Sequence, residues 1–289
     1  MNSRRTFLKQ AGLVAGATLL MPSFAFNKVT KNVGLQLYSL RDELPKDVKG
    51  IIEKVAQAGY QEVETYGFSN GKFWNLTPKE FKALLDANGL KAPSGHYGMD
   101  EFSKTGKTDK LKADIESSAA IGGQYFTIAG AHVDMSKGLD GFKKTANDFN
   151  KVAEIAKAAG LKFAYHNHDF EFKKIDDTTG YDVYLSETDK NLVNFEMDLY
   201  WVVRSGNDPL ALFKKYPGRF PMWHVKDMDK TNPALNAEVG TGSIDFKTIF
   251  AETQLSGMEH FFVEHETNYK PNPMGSVAAS CAYIKANLA

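Results

Sequence analysis

Cysteine is all but missing from this chain. Cys281 stands alone, so no internal disulfide can brace the fold. It lies in an apolar helical pattern near the C-terminus, which makes it a small buried residue. Neither sign of charge is in excess, with 35 Lys and Arg against 35 Asp and Glu. Such a chain has no net field to draw nucleic acid or an anionic membrane to it. Its apolar runs stay short of the ~20 residues a membrane span needs. Low-complexity linkers and shifts of composition are also absent, so a single large domain is expected. No glycine-rich phosphate loop follows the first apolar run, "LQLYSLRDE", as a doubly wound nucleotide-binding sheet would normally have.

What is present begins with the pattern expected of a leader. Arg4 and Arg5 precede Phe7 and Leu8, and the uncharged run "AGLVAGATLLMPSFAF" follows. This is the layout of an export signal, with cleavage expected after Ala25. The paired arginines resemble a twin-arginine signal, an address for exporting folded proteins rather than an anchor. The expectation is a periplasmic protein with no stable membrane insertion once residues 1–25 are removed. A retained signal anchor is the alternative.

Residues 31–289 alternate regularly. Apolar runs rich in β-branched and aromatic residues occur at "VGLQLYS", "EVETYG", "APSGHYG", "YFTIAGA", "FAYHNH", "VNFEMDLYW", "PMWHVKD" and "FFVEHE". Amphipathic segments with helical spacing lie between them. "TPKEFKALLDANG" opens on a capping box, Thr77 with Glu80, and closes at Gly89. Strand–helix units in strict alternation imply parallel strands joined by crossover helices. Eight of them in this length predict a single-domain α/β (β/α)8 TIM barrel.

In that fold the active site lies at the C-terminal ends of the strands, where residues two apart share a face. Those ends carry Gln36, Tyr38 and Arg41; Glu62 and Glu64; His96; His166 and His168; Glu196 and Asp198; His224, Lys226 and Asp227; Glu264 and Glu266. Any one pair could simply open a solvated loop. Several carboxylates converging on one barrel mouth are costly without a compensating cation. Two imidazoles and two carboxylates around one divalent metal make a near-neutral cluster. Nitrogen and oxygen donors without thiolate favour manganese, cobalt or zinc, with magnesium a poorer fit.

The stretches "LQLYSLRD", "HNHDFEF", "FEMDLYW", "WHVKD", "VGTGSIDF" and "FFVEHE" resemble the sugar phosphate isomerase/epimerase family of xylose-isomerase-like barrels, over essentially the whole mature chain. The resemblance implies one metal held by residues of the last four strands. Carried over, these are His166, Asp198, His224 and Glu264. Many relatives have Glu where this chain has His166, which puts in doubt their proton transfer by two metal-bound glutamates. The proton carrier is then sought among His168, Glu266, Lys226 and Glu64, with the first two leading. His168 for His166, and Glu266 for Glu264, remain the alternative ligands.

Around this centre, His96 is a candidate for orienting substrate hydroxyls, or a hydrogen-bonded rim histidine. Lys226 with Asp227 either meets a substrate oxygen or forms a rim ion pair of little worth. Arg41 and Tyr38 are candidate substrate contacts on the first loop. Trp74 is a candidate for stacking on a sugar ring, or a cap on the barrel. Trp201 and Trp223 read as core, Glu196 as paired one layer below the site, and His132, His260 and His265 as structural. Gly240 and Gly242 suggest a tight turn.

The leading expectation is a metal-dependent sugar isomerase or epimerase acting through an enediolate on a sugar or keto-sugar. A metal-dependent lyase or hydrolase eliminating the aglycone of a 3-keto-glycoside is the alternative. A non-catalytic exported sugar-binding protein is the rival from another class. The superfamily's apurinic-site endonucleases fit poorly with a neutral chain. The expected partner is a small carbohydrate, and a homo-oligomer is compatible with the sequence.

Overall fold

The computed structural model describes residues 32–288. The export signal expected over residues 1–25 lies outside them. Strands β1 (Gly34–Gln36), β2 (Glu62–Thr65), β3 (Lys91–Tyr97), β4 (Tyr125–Ile128), β5 (Lys162–His166), β6 (Val193–Asp198), β7 (Met222–Val225) and β8 (His260–Val263) close a barrel in the order β1-β8-β7-β6-β5-β4-β3-β2. Every pairing is parallel. The (β/α)8 barrel expected from the alternation is the fold. Among the described residues no helix is long and apolar enough to cross a membrane.

The two-residue period of a strand sorts its side chains. On β5, Phe163 and Tyr165 join the large apolar layer beneath the helices, while Ala164 belongs to a separate small cluster with Tyr125, Met222 and Phe262. That small cluster plugs the barrel axis. Gly34 gives Phe262 its room, because a Cβ there would lie 2.5 Å from the Phe262 ring. At the lower end Glu62 pairs with His260 at 2.8 Å, and the structural role expected of His260 is what it has. Above the plug the axis turns polar. Gln36, Glu64, Ser94, Thr127, His166, Glu196 and His224 are all buried there.

The helices cover the outer layer. Pro78–Ala87 opens on the expected capping box of Thr77 and Glu80. Leu139–Ala158 lays Phe149 4.6 Å from the Tyr165 ring. Pro273–Asn287 closes the circle beside the first unit, where Val277 O accepts the Tyr60 hydroxyl at 2.6 Å. Cys281 is buried on that helix. Two ribbons, Lys174–Ile175 with Thr178–Thr179 and Asp227–Met228 with Asn236–Ala237, interrupt the expected simple alternation. Strands of two residues are too short to show periodicity.

The second ribbon leads into the turn marked by Gly240 and Gly242. Asp227 organises it, accepting backbone N–H groups from Met228, Gly240, Gly242 and Ile244 at 2.8–3.2 Å. This corrects the expectation that Asp227 meets substrate, since its carboxylate is committed to the loop. Gly240 has φ of +89°, and a Cβ there would come within 2.3 Å of the Tyr283 ring. Gly240→Ala is therefore expected to destabilise the protein by about 1–3 kcal/mol. Thermal unfolding checks this, and an unchanged midpoint would show that the turn relaxes freely.

Candidate metal centre and active site

The strand register brings the polar ends together before any side chain is considered. Gln36 lies beside Glu64, Glu64 beside Ser94, His166 beside Glu196, and Asp198 beside His224. The result is two linked clusters sharing His224.

The lower cluster is buried except at His96, which is partly exposed. Glu64 accepts from Gln36 Nε2 at 2.7 Å, His224 Nε2 at 2.6 Å and Ser94 Oγ at 2.5 Å, and lies 3.1 Å from His96 Nε2. Burial opposes its charge, but His96 and His224 outweigh that and hold the carboxyl well below its usual range. Glu196 Oε2 lies 2.8 Å from His96 Nε2, 3.2 Å from His166 Nδ1 and 3.3 Å from His224 Nε2. Burial, with Glu64 nearby, pushes Glu196 up to about 7. Burial disfavours the His96 imidazolium, yet the facing carboxylates raise it to about 9. Glu64 is thus a poor proton carrier, since it is enclosed, low in pKa and already holds three donors. His96 faces carboxylates below while lining the cavity above.

The upper cluster joins the cavity. Asp198 Oδ1 accepts the Trp201 N–H at 3.0 Å and caps the helix Leu199–Arg204. Its Oδ2 is buried without a hydrogen bond, with Lys226 Nζ at 3.3 Å, His166 Nε2 at 3.9 Å and His224 Nδ1 at 4.0 Å. His224 Nδ1 lies 3.1 Å from Glu264 Oε2. Lys226 reaches Glu264 at 2.8 Å and Glu266 at 2.5 Å. It is buried rather than on the rim, and Asp198, Glu264 and Glu266 overcome desolvation to raise its pKa.

These donors fit a divalent ion. Donor atoms of Asp198, His224 and Glu264 all lie within 4.8 Å of one another, and His166 faces the same Asp198 oxygen. Three carboxylates stand against one ammonium, and the orphaned Asp198 Oδ2 is the acceptor that a cation satisfies.

A cavity of about 430 Å3 opens over the cluster, lined by His166, His168, Glu264 and Glu266 with Tyr38, Tyr66 and Trp201 among its walls. The His168 ring packs 5.0 Å from His166 and 6.0 Å from Trp201. Burial lowers its pKa, against the pull of Asp198 and Glu264. Glu266 is half-buried and raised, with desolvation and Glu264 outweighing Lys226. Glu171 belongs to the same stretch, "HNHDFEF", but the sequence pattern assigns it no role. Its buried carboxylate accepts the His168 N–H at 3.0 Å and the Tyr165 hydroxyl at 2.6 Å, fixing the backbone that presents His168.

The aromatic expectations change places. Trp201, expected in the core, walls the cavity, whereas Trp74 lies behind Tyr66 at 5.2 Å and does not line it. Arg41 holds the rim together, reaching Glu266 O at 2.9 Å, the Tyr269 hydroxyl at 3.1 Å and the Tyr38 ring. His265 is buried against Tyr269.

Residues 52–287 match the family described as xylose isomerase-like TIM barrel. An inosose dehydratase of Clostridium botulinum is 26% identical, over 87% of this chain and 85% of that protein. One from Clostridium beijerinckii is 30% identical, over 84% and 82%. Among solved structures, a sugar phosphate isomerase/epimerase from Parabacteroides distasonis superposes with a TM-score of 0.77 at 28% identity, covering 88% of this chain and 98% of that one.

Proposed function

We propose that this chain, which belongs to the xylose isomerase-like TIM barrel family, is a metal-dependent enzyme that removes a proton beside the carbonyl of a polyhydroxylated ketone and then expels a neighbouring hydroxyl group as water. The observation that carries this reading is the pair of unlike titrating groups on one cavity. His168 stands after β5 and Glu266, in contact with Lys226, stands after β8, and both line one cavity beside the ligand candidates His166 and Glu264.

Bound by Asp198, His224, Glu264 and His166, a divalent ion would polarise the ketone and orient the adjacent hydroxyl. The lone pair of His168 takes the proton from the carbon next to the carbonyl, leaving an enolate. Lys226, buried against Asp198, Glu264 and Glu266, holds these carboxylates in place beside the cavity. The enolate electrons then form a carbon–carbon double bond as the β C–O bond breaks. Glu266 gives its proton to the departing oxygen, which leaves as water. An imidazole that burial holds below its usual range and a carboxyl that burial raises above its own suit a base and an acid. Trp201 and Tyr66 supply apolar walls for the C–H face of the ring.

Both inosose dehydratase relatives support elimination. The structural neighbour's name favours a second outcome, in which the proton returns to the substrate as isomerisation or epimerisation. The resemblance puts His166 where many relatives carry a second glutamate, and that weakens this outcome here. The test is incubation of manganese- or cobalt-loaded protein with cyclic and open-chain polyhydroxyketones in D2O. An unsaturated ketone formed with loss of water is expected. Deuterated but undehydrated ketone would assign the isomerase outcome, and neither product from any ketone would defeat both.

A further inference from the structure

His224 and His166 each turn their two ring nitrogens in opposite directions. The Nδ1 of His224 faces Glu264 while its Nε2 faces Glu64 at 2.6 Å. The Nε2 of His166 faces Asp198 while its Nδ1 lies 3.2 Å from Glu196. In both, one nitrogen looks into the upper cluster and the other onto a buried carboxylate. A neutral imidazole carries one N–H, and a carboxylate accepts but does not donate. In each ring the lower contact is the shorter, 2.6 against 3.1 Å for His224 and 3.2 against 3.9 Å for His166, which favours the N–H on the lower nitrogen and turns the other nitrogen upward.

We propose that Glu64 and Glu196 are positioning residues that fix the tautomer and ring orientation of His224 and His166, and thereby set how tightly the upper cluster holds a divalent ion. Their own placement is over-determined. Gln36 from β1 and Ser94 from β3 hold Glu64, and Ser94 Oγ lies 2.8 Å from Thr127 on β4. His96 lies within 3.1 Å of both carboxylates and ties one to the other. Glu196 is shared by three imidazoles, so one side chain orients several rings at once. Both carboxylates are fully buried and line no part of the cavity, which assigns them orientation rather than contact with substrate. Carboxylates behind metal-bound histidines characteristically change metal affinity or activity by roughly 10- to 100-fold.

The inference rests on reading the upper cluster as a divalent-ion centre, and the experiment separates the two. Co2+ is titrated into full-length wild-type, Glu64→Gln and Glu196→Gln protein against a chromophoric chelator, with the ion count, the visible Co2+ spectrum and circular dichroism recorded. One ion per chain is expected throughout, bound roughly 10- to 100-fold more weakly by each Gln variant and with an altered spectrum. Glu196→Asp, which keeps the charge, is expected to recover part of the affinity. If the wild type binds no ion, the metal reading itself falls. If it binds one and both Gln variants match it in affinity and spectrum, the positioning role alone is overturned. Two ions on the wild type, with one lost in Glu196→Gln, would overturn it differently, by making His96, His166, Glu196 and His224 a second ion site. Should Glu196→Gln fail to fold, Glu64→Gln decides the matter through His224.

Discussion

Asp198→Asn is expected to abolish tight divalent-metal binding and to lower kcat/KM roughly a thousandfold, equivalent to about 4 kcal/mol of transition-state stabilisation. The substitution keeps shape and retains an oxygen to cap the helix at Trp201. It removes one negative charge and a buried carboxylate oxygen that has no hydrogen bond. The metal-free fold should survive, because Lys226 keeps Glu264 and Glu266 as partners. Lys226→Met is the instructive contrast. It strips the only ammonium from three carboxylates, and losing one partner of a buried charge cluster costs on the order of 3–5 kcal/mol. Added metal should restore much of that stability, because a bound ligand at a hundred times its Kd contributes about 2.7 kcal/mol. Thermal unfolding with and without Mn2+ or Co2+, beside equilibrium dialysis, checks both variants. Wild-type-like ion affinity in Asp198→Asn would remove Asp198 from the ligand set.

How much of this was legible in the sequence follows from which interactions are local. The barrel was readable because each strand states its own period and each helix its own caps. The strand ends were readable for the same reason, since parity alone puts Glu196 with Asp198, and Glu64 with the axis. What could not be read is who holds whom. The role of Glu64 depends on Gln36, Ser94 and His224, and the last lies 160 positions away. Asp227 looked like a site residue until the Gly240 loop folded back and offered it backbone N–H groups. The exchange of Trp74 for Trp201 has a backbone cause. Trp74 sits at φ of +46° in a turn that carries it behind Tyr66. Trp201 is set on the first turn of a helix that Asp198 itself caps. The ligand candidate and the cavity wall are thus parts of one local motif, "DLYW", whose meaning depends on where the strand ends.

His168→Gln carries the second large effect, a fall in kcat of roughly 10²- to 10⁴-fold, the range for removing a general base. Ion affinity and substrate KM should stay near wild type, because His168 touches His166 only through ring packing and its backbone remains held by Glu171. A loss of kcat alone still does not say which proton is involved. Deuterium exchange supplies that distinction. If His168 takes the proton next to the carbonyl, His168→Gln loses exchange and dehydration together. If Glu266 only protonates the leaving oxygen, Glu266→Gln goes on exchanging that proton with D2O while dehydration falls. The reversed pattern, with exchange surviving in His168→Gln and lost in Glu266→Gln, would swap the base and the acid and leave the metal centre as described. Equal loss of both in both variants would mean that the two groups act as one proton-sharing unit through Lys226, whose 2.5 Å contact with Glu266 already joins one of them to the cluster. The split between exchange and elimination therefore assigns each proton to a side chain, because it measures the two bond-breaking steps separately.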